Sequence, residues 1–549
     1  MSNKEIAAAF QLLAALLELH GDNPFKVRSY RNGAGALKKI DRPLAEMSRE
    51  ELEAIPGVGK AISTKTIELV QTGQIRRLEE QKAKTPPGIQ EMLMIRGIGP
   101  KKVLTLWKEL GIESPVELLY ACNENRLIEA TGFGLKTQQD IRQKIEYYLQ
   151  SQDKHLWARV EPVAEAFEQL LRETLPGRRI AWVGEYARKC PIVNLLEVLI
   201  EGEVTADDLQ LGNGFEMTAG EDHISCRFQE SYTIRIYWAT ADHFDARQFV
   251  LTGDARFVEA VLQKADLAPP FSAEEIFARA GLPYVIPEMR ESAEPFAMEL
   301  PAADDIVELK DIRGILHNHS TYSDGLHSLR EMAEYVRDQG YAYFGISDHS
   351  RTAVYANGLS PERVYEQFAE IDALNAELAP FRIFKGIESD ILSDGSLDYE
   401  DDLLSQFDFV VASVHSVLKM DQERATRRLI TAIEHPCTDI LGHPTGRLLL
   451  AREGYPIDHK QVIDACAEHN VAIELNANPL RLDMDYSWIP YAMEKGVMWA
   501  INPDAHSRES IHNVRFGVLT ARKGGLVTTL CLNALDRGDF GRWLANRRA

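Results

Sequence analysis

The sequence predicts a multidomain chain that is helical at its N-terminus and α/β at its C-terminus, where parallel strands close into a distorted barrel. A five-residue glycine pattern recurs three times within the first 150 residues, each time between helix-like segments. From about residue 310, short apolar runs alternate with amphipathic segments, the pattern of βαβ units. At 549 residues the chain also exceeds what one hydrophobic core supports.

The apolar run from Ala7 to Leu17 is broken by Gln11, is followed by Glu18, His20 and Asp22, and lacks a basic leader, so it reads as an amphipathic first helix. No stretch is long and apolar enough to cross a membrane. Cys122, Cys190, Cys226, Cys437, Cys466 and Cys531 are scattered, without a C-x-x-C pair, which argues against a disulfide framework or a cysteine zinc site. A monomeric, cytoplasmic protein with no membrane partner is the expectation.

The net charge of −22 is unevenly spread. Residues 1–150 hold 22 Lys+Arg against 19 Asp+Glu, and the remainder 39 against 64. The first quarter is therefore the part a polyanion approaches.

That quarter carries "IPGVG" at 55–59, "IRGIG" at 95–99 and "ATGFG" at 130–134. In a tight turn between helices, glycines such as Gly57, Gly59, Gly97, Gly99, Gly132 and Gly134 tolerate positive φ, and the exposed N–H groups at the start of the next helix can bond a phosphate oxygen. Lys60, Lys101, Lys102 and Lys136 lie just beyond and add charge to that contact. The pattern resembles the helix-hairpin-helix motif, which grips a DNA backbone without reading sequence. The third copy, taken alone, reads more readily as an ordinary turn.

The apolar runs of the second half each end at a polar residue of unusual type: "RGIL" before His317, "YFGIS" before Asp348, "RIFKGI" before Glu388, "FDFVVAS" before His415, "DILG" before His443, "VAIEL" before Asn476 and "VMWAIN" before Asp504. In parallel sheets and barrels, function collects at the carboxyl ends of strands. His317, His319, Asp324, His349, Glu388, His415, His443, Asp504 and His506 all fall there. Imidazoles with carboxylates suit Zn²⁺, Mn²⁺ or Fe²⁺, and nine such ligands suit two or three ions. A central carboxylate bridging two ions lowers the pKa of a shared water and flanks displacement at phosphorus. His327, His435, His459, His469 and His512 fit no strand end and read as surface or packing residues.

The segments "HNHSTYSDG", "ISDHS", "GIESDILSDGSLDY", "ASVHS", "GHPTGR" and "NPDAH" resemble the PHP (polymerase and histidinol phosphatase) domain, a distorted α/β barrel of metal-dependent phosphoesterases. With "NKEIAAAFQLLAALLELHGDNPFKVRSYRNGA" and the glycine loops, nearly the whole chain resembles a bacterial family X DNA polymerase with a C-terminal PHP domain. The resemblance implies helical helix-hairpin-helix domains at 1–85 and 86–152, a nucleotidyltransferase-like α+β palm and thumb at 153–290, a linker at 291–310 and the PHP barrel at 311–549. It places one ion on His317, His319, Glu388 and Asp504, a second on Glu388, His415 and His443, and a third on Asp324, His349 and His506. Glu388 would bridge, and Arg447 would either contact the substrate phosphate or form a salt bridge on the barrel rim. The implied activity is 3′–5′ exonuclease on gapped, nicked or 3′-ended DNA, in some members at abasic or blocked ends.

The palm departs from the family's Gly-Ser-x-Arg-Arg and Asp-x-Asp pattern. In "VGEYARKCPIVNLLEVLI" Glu185 replaces the serine, Arg188 is the surviving arginine, and the aspartate pair becomes Leu195 and Glu197. The third carboxylate position, in "SYTIRIYW", is Thr233. Leucine and threonine give a palm poor hold on Mg²⁺, so a degenerate, inactive polymerase site is expected. Lys65 occupies the place of the family's Schiff-base lysine, though an exposed helix lysine is ordinary. The competing readings are an active polymerase with a proofreading nuclease in base excision repair, using Glu201 or Glu203 as replacements, and a non-catalytic DNA-end scaffold. The hairpins weigh against a small-molecule phosphatase.

Overall fold

The computed structural model describes residues 3–38, 40, 42–95, 97–128, 130, 132–150, 154–209, 215–228, 232–265, 272–291 and 300–548. The chain divides into two compact units, 1–149 and 150–549.

The first unit is helical: α1 (Asn3–Leu19), α2 (Pro24–Leu37), α3 (Arg49–Glu53), α4 (Lys60–Thr72), α5 (Arg76–Lys82), α6 (Pro87–Met94), α7 (Pro100–Lys108), α8 (Pro115–Asn123) and α9 (Leu135–Gln150). In α1, Ile6, Phe10, Leu13 and Leu17 recur at helical spacing and are fully buried. The three glycine loops adopt one turn. Gly57, Gly97 and Gly132 have φ of +91°, +91° and +84°. The N–H of the apolar residue that follows donates to the first residue's carbonyl in each: Val58 to Ile55 (2.9 Å), Ile98 to Ile95 (3.1 Å) and Phe133 to Ala130 (3.0 Å). Val58 and Ile98 are buried, which explains the apolar residue between the glycines. The third copy is thus the same turn as the other two.

The second unit begins with β1 (His155–Leu156), α10 (Trp157–Thr174), β2 (Ile180–Val183), α11 (Gly184–Ala187), β3 (Ile192–Val193), β4 (Leu196–Glu201), α12 (Ala206–Leu209), β5 (Phe215–Ala219), β6 (His223–Phe228) and β7 (Tyr232–Ala239). Its sheet runs β2-β4-β7-β6-β5, with β4 and β7 parallel. α10 packs Trp157, Val160, Ala164 and Phe167 on that sheet. A separate cluster around Phe249, Phe257 and Phe277 gathers the short helices that follow.

The barrel strands are β8 (Gly314–Ile315), β9 (Tyr343–Ile346), β10 (Arg382–Asp390), β11 (Phe409–Ser413), β12 (Ile440–Leu441), β13 (Ala472–Asn476) and β14 (Trp499–Asn502), all parallel and in sequence order. Helices cover the outside, so the strands are buried on both faces and read as continuous apolar runs. Inside, Leu316, Tyr343, Phe384, Phe409 and Ile440 fill the barrel, and Phe540 from the last helix stacks on Tyr343 with ring centroids 5.1 Å apart. Gly386 makes room for this filling, because a Cβ there would lie 2.3 Å from the Phe409 ring. The ends of β8 and β14 close on each other through a parallel bridge, Asn318 to Ala505, with His319 N–H donating to Ala505 O at 2.8 Å.

The sheet unit and the barrel are joined by partly buried ion pairs. Arg515 bonds Glu161, Arg522 lies 3.0 Å from Glu288, and Lys523 lies 2.6 Å from Glu291. The joint expected within 291–310 is therefore anchored at its start, although residues 292–299 lie outside the described residues.

Candidate metal centre

Barrel closure brings the first and last strand ends together, and with them the ligand-type residues. His317 and His319 follow β8, His349 follows β9, Glu388 lies on β10, His415 follows β11, His443 follows β12, and Asp504 and His506 follow β14. Three of these residues, His317 (φ +54°), His443 (φ +22°) and Asp504 (φ +51°), hold the left-handed backbone that side chains other than glycine disfavour. Such strain persists where the surroundings over-determine it, and it clusters at functional sites.

Glu388 is fully buried at the centre. Its Oε1 lies 3.0 Å from His443 Nε2, 3.1 Å from His415 Nε2 and 3.3 Å from His317 Nε2. Its Oε2 lies 2.8 Å from His349 Nδ1 and 3.8 Å from His319 Nε2. Asp504 Oδ1 is 3.0 Å from His319 Nε2 and 3.5 Å from His317 Nε2. Asp324 sits 3.6 Å from His349 Nε2 and 3.4 Å from His506 Nε2.

The electrostatics follow from this packing. Burial favours the neutral carboxyl of Glu388, but the imidazoles of His415, His317 and His349 hold its pKa well below the usual carboxylate range. Burial, with His506 and His349 beside it, pushes His319 down to about 3.

The donor set fits divalent metal ions. Buried polar atoms in folded proteins find partners, yet His317 Nε2, His349 Nδ1, Glu388 Oε2 and His443 Nδ1 make no hydrogen bond here. Groups with ligand atoms within 4.8 Å of one another are His319, Asp324, His349 and His506; His317, His319 and Glu388; His349, Glu388 and His415; and His317, His443 and Asp504. All nine expected residues appear among these groups. His443 groups with His317 and Asp504, and it also shares Glu388 Oε1 with His415.

Three buried carboxylates outside the expected ligand set hold the ligands. Glu474 accepts from His317 Nδ1 (2.6 Å), from the His443 N–H (2.7 Å) and from Asn502 Nδ2 (2.8 Å). Asp390 accepts from His415 Nδ1 at 2.5 Å. Asp348 accepts from Ser320, Ser323 and Gln367 and fixes the loop that carries His319 and Asp324. The signal for Glu474 was its presence inside the apolar run "VAIEL", and for Asp390 its place two residues after Glu388 on one strand.

The other candidates fall elsewhere. Arg447, read as a phosphate contact, is a rim clamp, with its guanidinium on Asp485 Oδ2 (2.5 Å), Arg481 O (3.0 Å) and Leu482 O. In the first unit Lys60, Lys101 and Lys136 are exposed beyond the hairpin glycines, and the Lys102 amine lies 6.0 Å from the Phe133 ring. Lys65 is half-buried on α4.

On the β2-β4-β7 sheet, β4 and β7 pair Leu196 with Ile234 and Glu197 with Arg235, so the exposed Thr233 lies level with Leu195. Burial raises the pKa of Glu197, which accepts from the Tyr237 hydroxyl at 3.1 Å. Gly184 (φ +62°) admits this carboxylate, since a Cβ there would lie 2.0 Å from Glu197 Oε2. Glu185 folds back to accept from Asn194 N–H (2.6 Å) and Nδ2 (2.9 Å). Arg188 donates to Glu291 (2.7 Å) and to Thr252 O (2.7 Å).

A strand-end cluster of histidines and carboxylates in a PHP-type barrel, behind tandem helical hairpins, defines a metal-dependent phosphoesterase carried on a helix-hairpin-helix chain. Family models agree segment by segment: a helix-hairpin-helix domain over residues 1–75, a SAM-like helix-hairpin-helix tandem over 89–146 and a PHP domain over 316–478. The chain is 35% identical to the DNA polymerase/3′-5′ exonuclease PolX of Bacillus subtilis (strain 168), over 99% of each chain. Probable phosphatases of Thermoanaerobacter sp. (strain X514) and Vibrio atlanticus (strain LGP32) match 38% and 35% of the chain, at 28% and 31% identity, over 91% and 76% of their own lengths. The chain belongs to the bacterial family X DNA polymerases with a C-terminal PHP domain.

Proposed function

We propose that this protein is a metal-dependent DNA phosphodiesterase that shortens DNA from its 3′ end, and that its palm no longer transfers nucleotides. The convergence of five histidines on Glu388, with Asp324, Asp504 and His506 grouped against the same histidines, carries the reading. Two or three Zn²⁺ or Mn²⁺ ions, or Fe²⁺, would be held by His317, His319, Asp324, His349, Glu388, His415, His443, Asp504 and His506. When bound, such ions activate water and neutralise charge on a phosphodiester.

The chain's own residues prepare that chemistry. Glu388 presents both oxygens to five histidines from four strand ends, the arrangement a bridging carboxylate needs. Glu474 and Asp390 fix the tautomers of His317 and His415, leaving the Nε2 atoms as the donors that face the centre. The hairpins supply exposed amides and lysines to a DNA backbone through Gly57, Gly59, Lys60, Gly97, Gly99, Lys101, Lys102, Gly132, Gly134 and Lys136. The expected segments at 1–85, 86–152, 153–290 and 311–549 are kept as the functional divisions.

The inactive palm rests on what its residues now do. Leu195 and Thr233 offer no carboxylate, Glu185 is committed to Asn194, and Arg188 is committed to Glu291. The second reading, a working polymerase with a proofreading nuclease, is favoured by the full-length similarity to a relative that bears both names.

Purified protein with Mn²⁺, a labelled primer-template and four nucleotides separates the two readings beside a His317→Ala/His319→Ala variant. Stepwise 3′ shortening that the variant lacks, without extension, supports the nuclease. Primer extension overturns the inactive palm.

A further inference from the structure

The loop between β9 and the next helix carries an aromatic residue at the edge of the metal centre that the ligand set does not use. Tyr355 is 37% exposed, and its ring centroid lies 6.2 Å from that of His349 and 6.4 Å from that of His415. Val354 beside it is 81% exposed.

The loop that presents them is firmly held. Thr352 N–H donates to Asp398 (2.7 Å) and its hydroxyl to Asp390 (3.0 Å), the carboxylate that also orients His415. Asn357 takes left-handed φ (+54°), its carbonyl accepts from Arg363 at 2.9 Å, and its side-chain amide donates to Tyr322 O at 3.3 Å. Gly358 packs so closely that a Cβ would lie 1.9 Å from Ser350 O. Tyr355 is thus presented on a rigid support, as a stacking platform requires.

We propose that Tyr355 stacks on the base of the 3′-terminal nucleotide while its phosphate lies at the metal centre. The inference rests on the nuclease reading and adds a specificity determinant to it. The ring lies against two of the ligand histidines, His349 and His415, at the edge of the centre. Every base has a π face, so the contact is indifferent to sequence and demands only an unpaired terminal base.

The test compares two single strands of one sequence, one ending in thymidine and one in a tetrahydrofuran residue that lacks a base. With Mn²⁺, the wild-type ratio of kcat/KM for the first cleavage, thymidine over tetrahydrofuran, is expected at about ten or more. Tyr355→Ala brings that ratio close to one, and Tyr355→Trp restores it. A ratio near one in the wild type, or a Tyr355→Ala variant that slows both substrates equally, overturns the stacking role. Failure of the wild type to shorten either strand overturns the nuclease reading itself, and the platform with it.

Discussion

Removing Glu474 tests how the centre is held together. Its carboxylate, fully buried, accepts from His317 Nδ1, His443 N–H and Asn502 Nδ2 at 2.6–2.8 Å. Glu474→Ala leaves three buried donors without an acceptor, at about 1–3 kcal/mol each when counted separately. Because they share one network, a total of about 3–5 kcal/mol is expected. Glu474→Gln keeps an acceptor oxygen but loses the charge, so a smaller loss, about 1–2 kcal/mol, is expected. The same carboxylate sets the His317 tautomer, so both variants are expected to bind Mn²⁺ or Zn²⁺ about 10- to 100-fold more weakly. Thermal unfolding of the chelated protein reads the first effect. Competition against a chromophoric chelator reads the second. A Glu474→Ala protein that melts like the wild type and binds metal with wild-type affinity would refute the reasoning.

The Glu291 clamp should make the joint between sheet unit and barrel acid-sensitive. Burial would raise the Glu291 pKa, but Lys523 and Arg188 hold it down to about 2 from an ordinary 4.5, so the folded state favours the carboxylate. This contributes up to about 3 kcal/mol above pH 4.5, lost as the pH falls from there towards 2. Glu291→Gln should flatten that part of a stability-versus-pH curve measured by urea unfolding. Substituting Gly97 by valine forces a side chain into φ +91°, and a loss of about 1–2 kcal/mol is expected in the melting of the first unit. Lys60→Ala and Lys101→Ala should weaken DNA binding uniformly across sequences, each lowering the slope of log K against log salt by about 1 in a fluorescence titration. Restoring aspartate at Leu195 and Thr233 should still give no primer extension, because Arg188 stays tied to Glu291; extended product on a sequencing gel would contradict this.

Much of the site could be read before folding was known, because barrels place functional residues at strand ends and most of the ligands stand at or just past the end of an apolar run. His317, His319, His349, Glu388, His415, His443, Asp504 and His506 could be found from that rule, and Asp324 from its nearness to the first pair. The glycine pattern likewise announced its turn, since positive φ selects glycine whatever the tertiary context. What the chain alone could not convey was partnership. Glu474 looks like an interruption in a buried strand until β12, β13 and β8 are brought together around it, and a guanidinium such as Arg447 has the same chemistry whether it meets a phosphate or Asp485. The substitutions at Leu195 and Thr233 were plain from the residue types, but the new bonds of Glu185 and Arg188 depend on groups up to 103 residues away. Residue identity and spacing are local and survive in the sequence. Hydrogen-bond and metal partners are chosen by long-range closure of the sheet, and only the tertiary structure decides them.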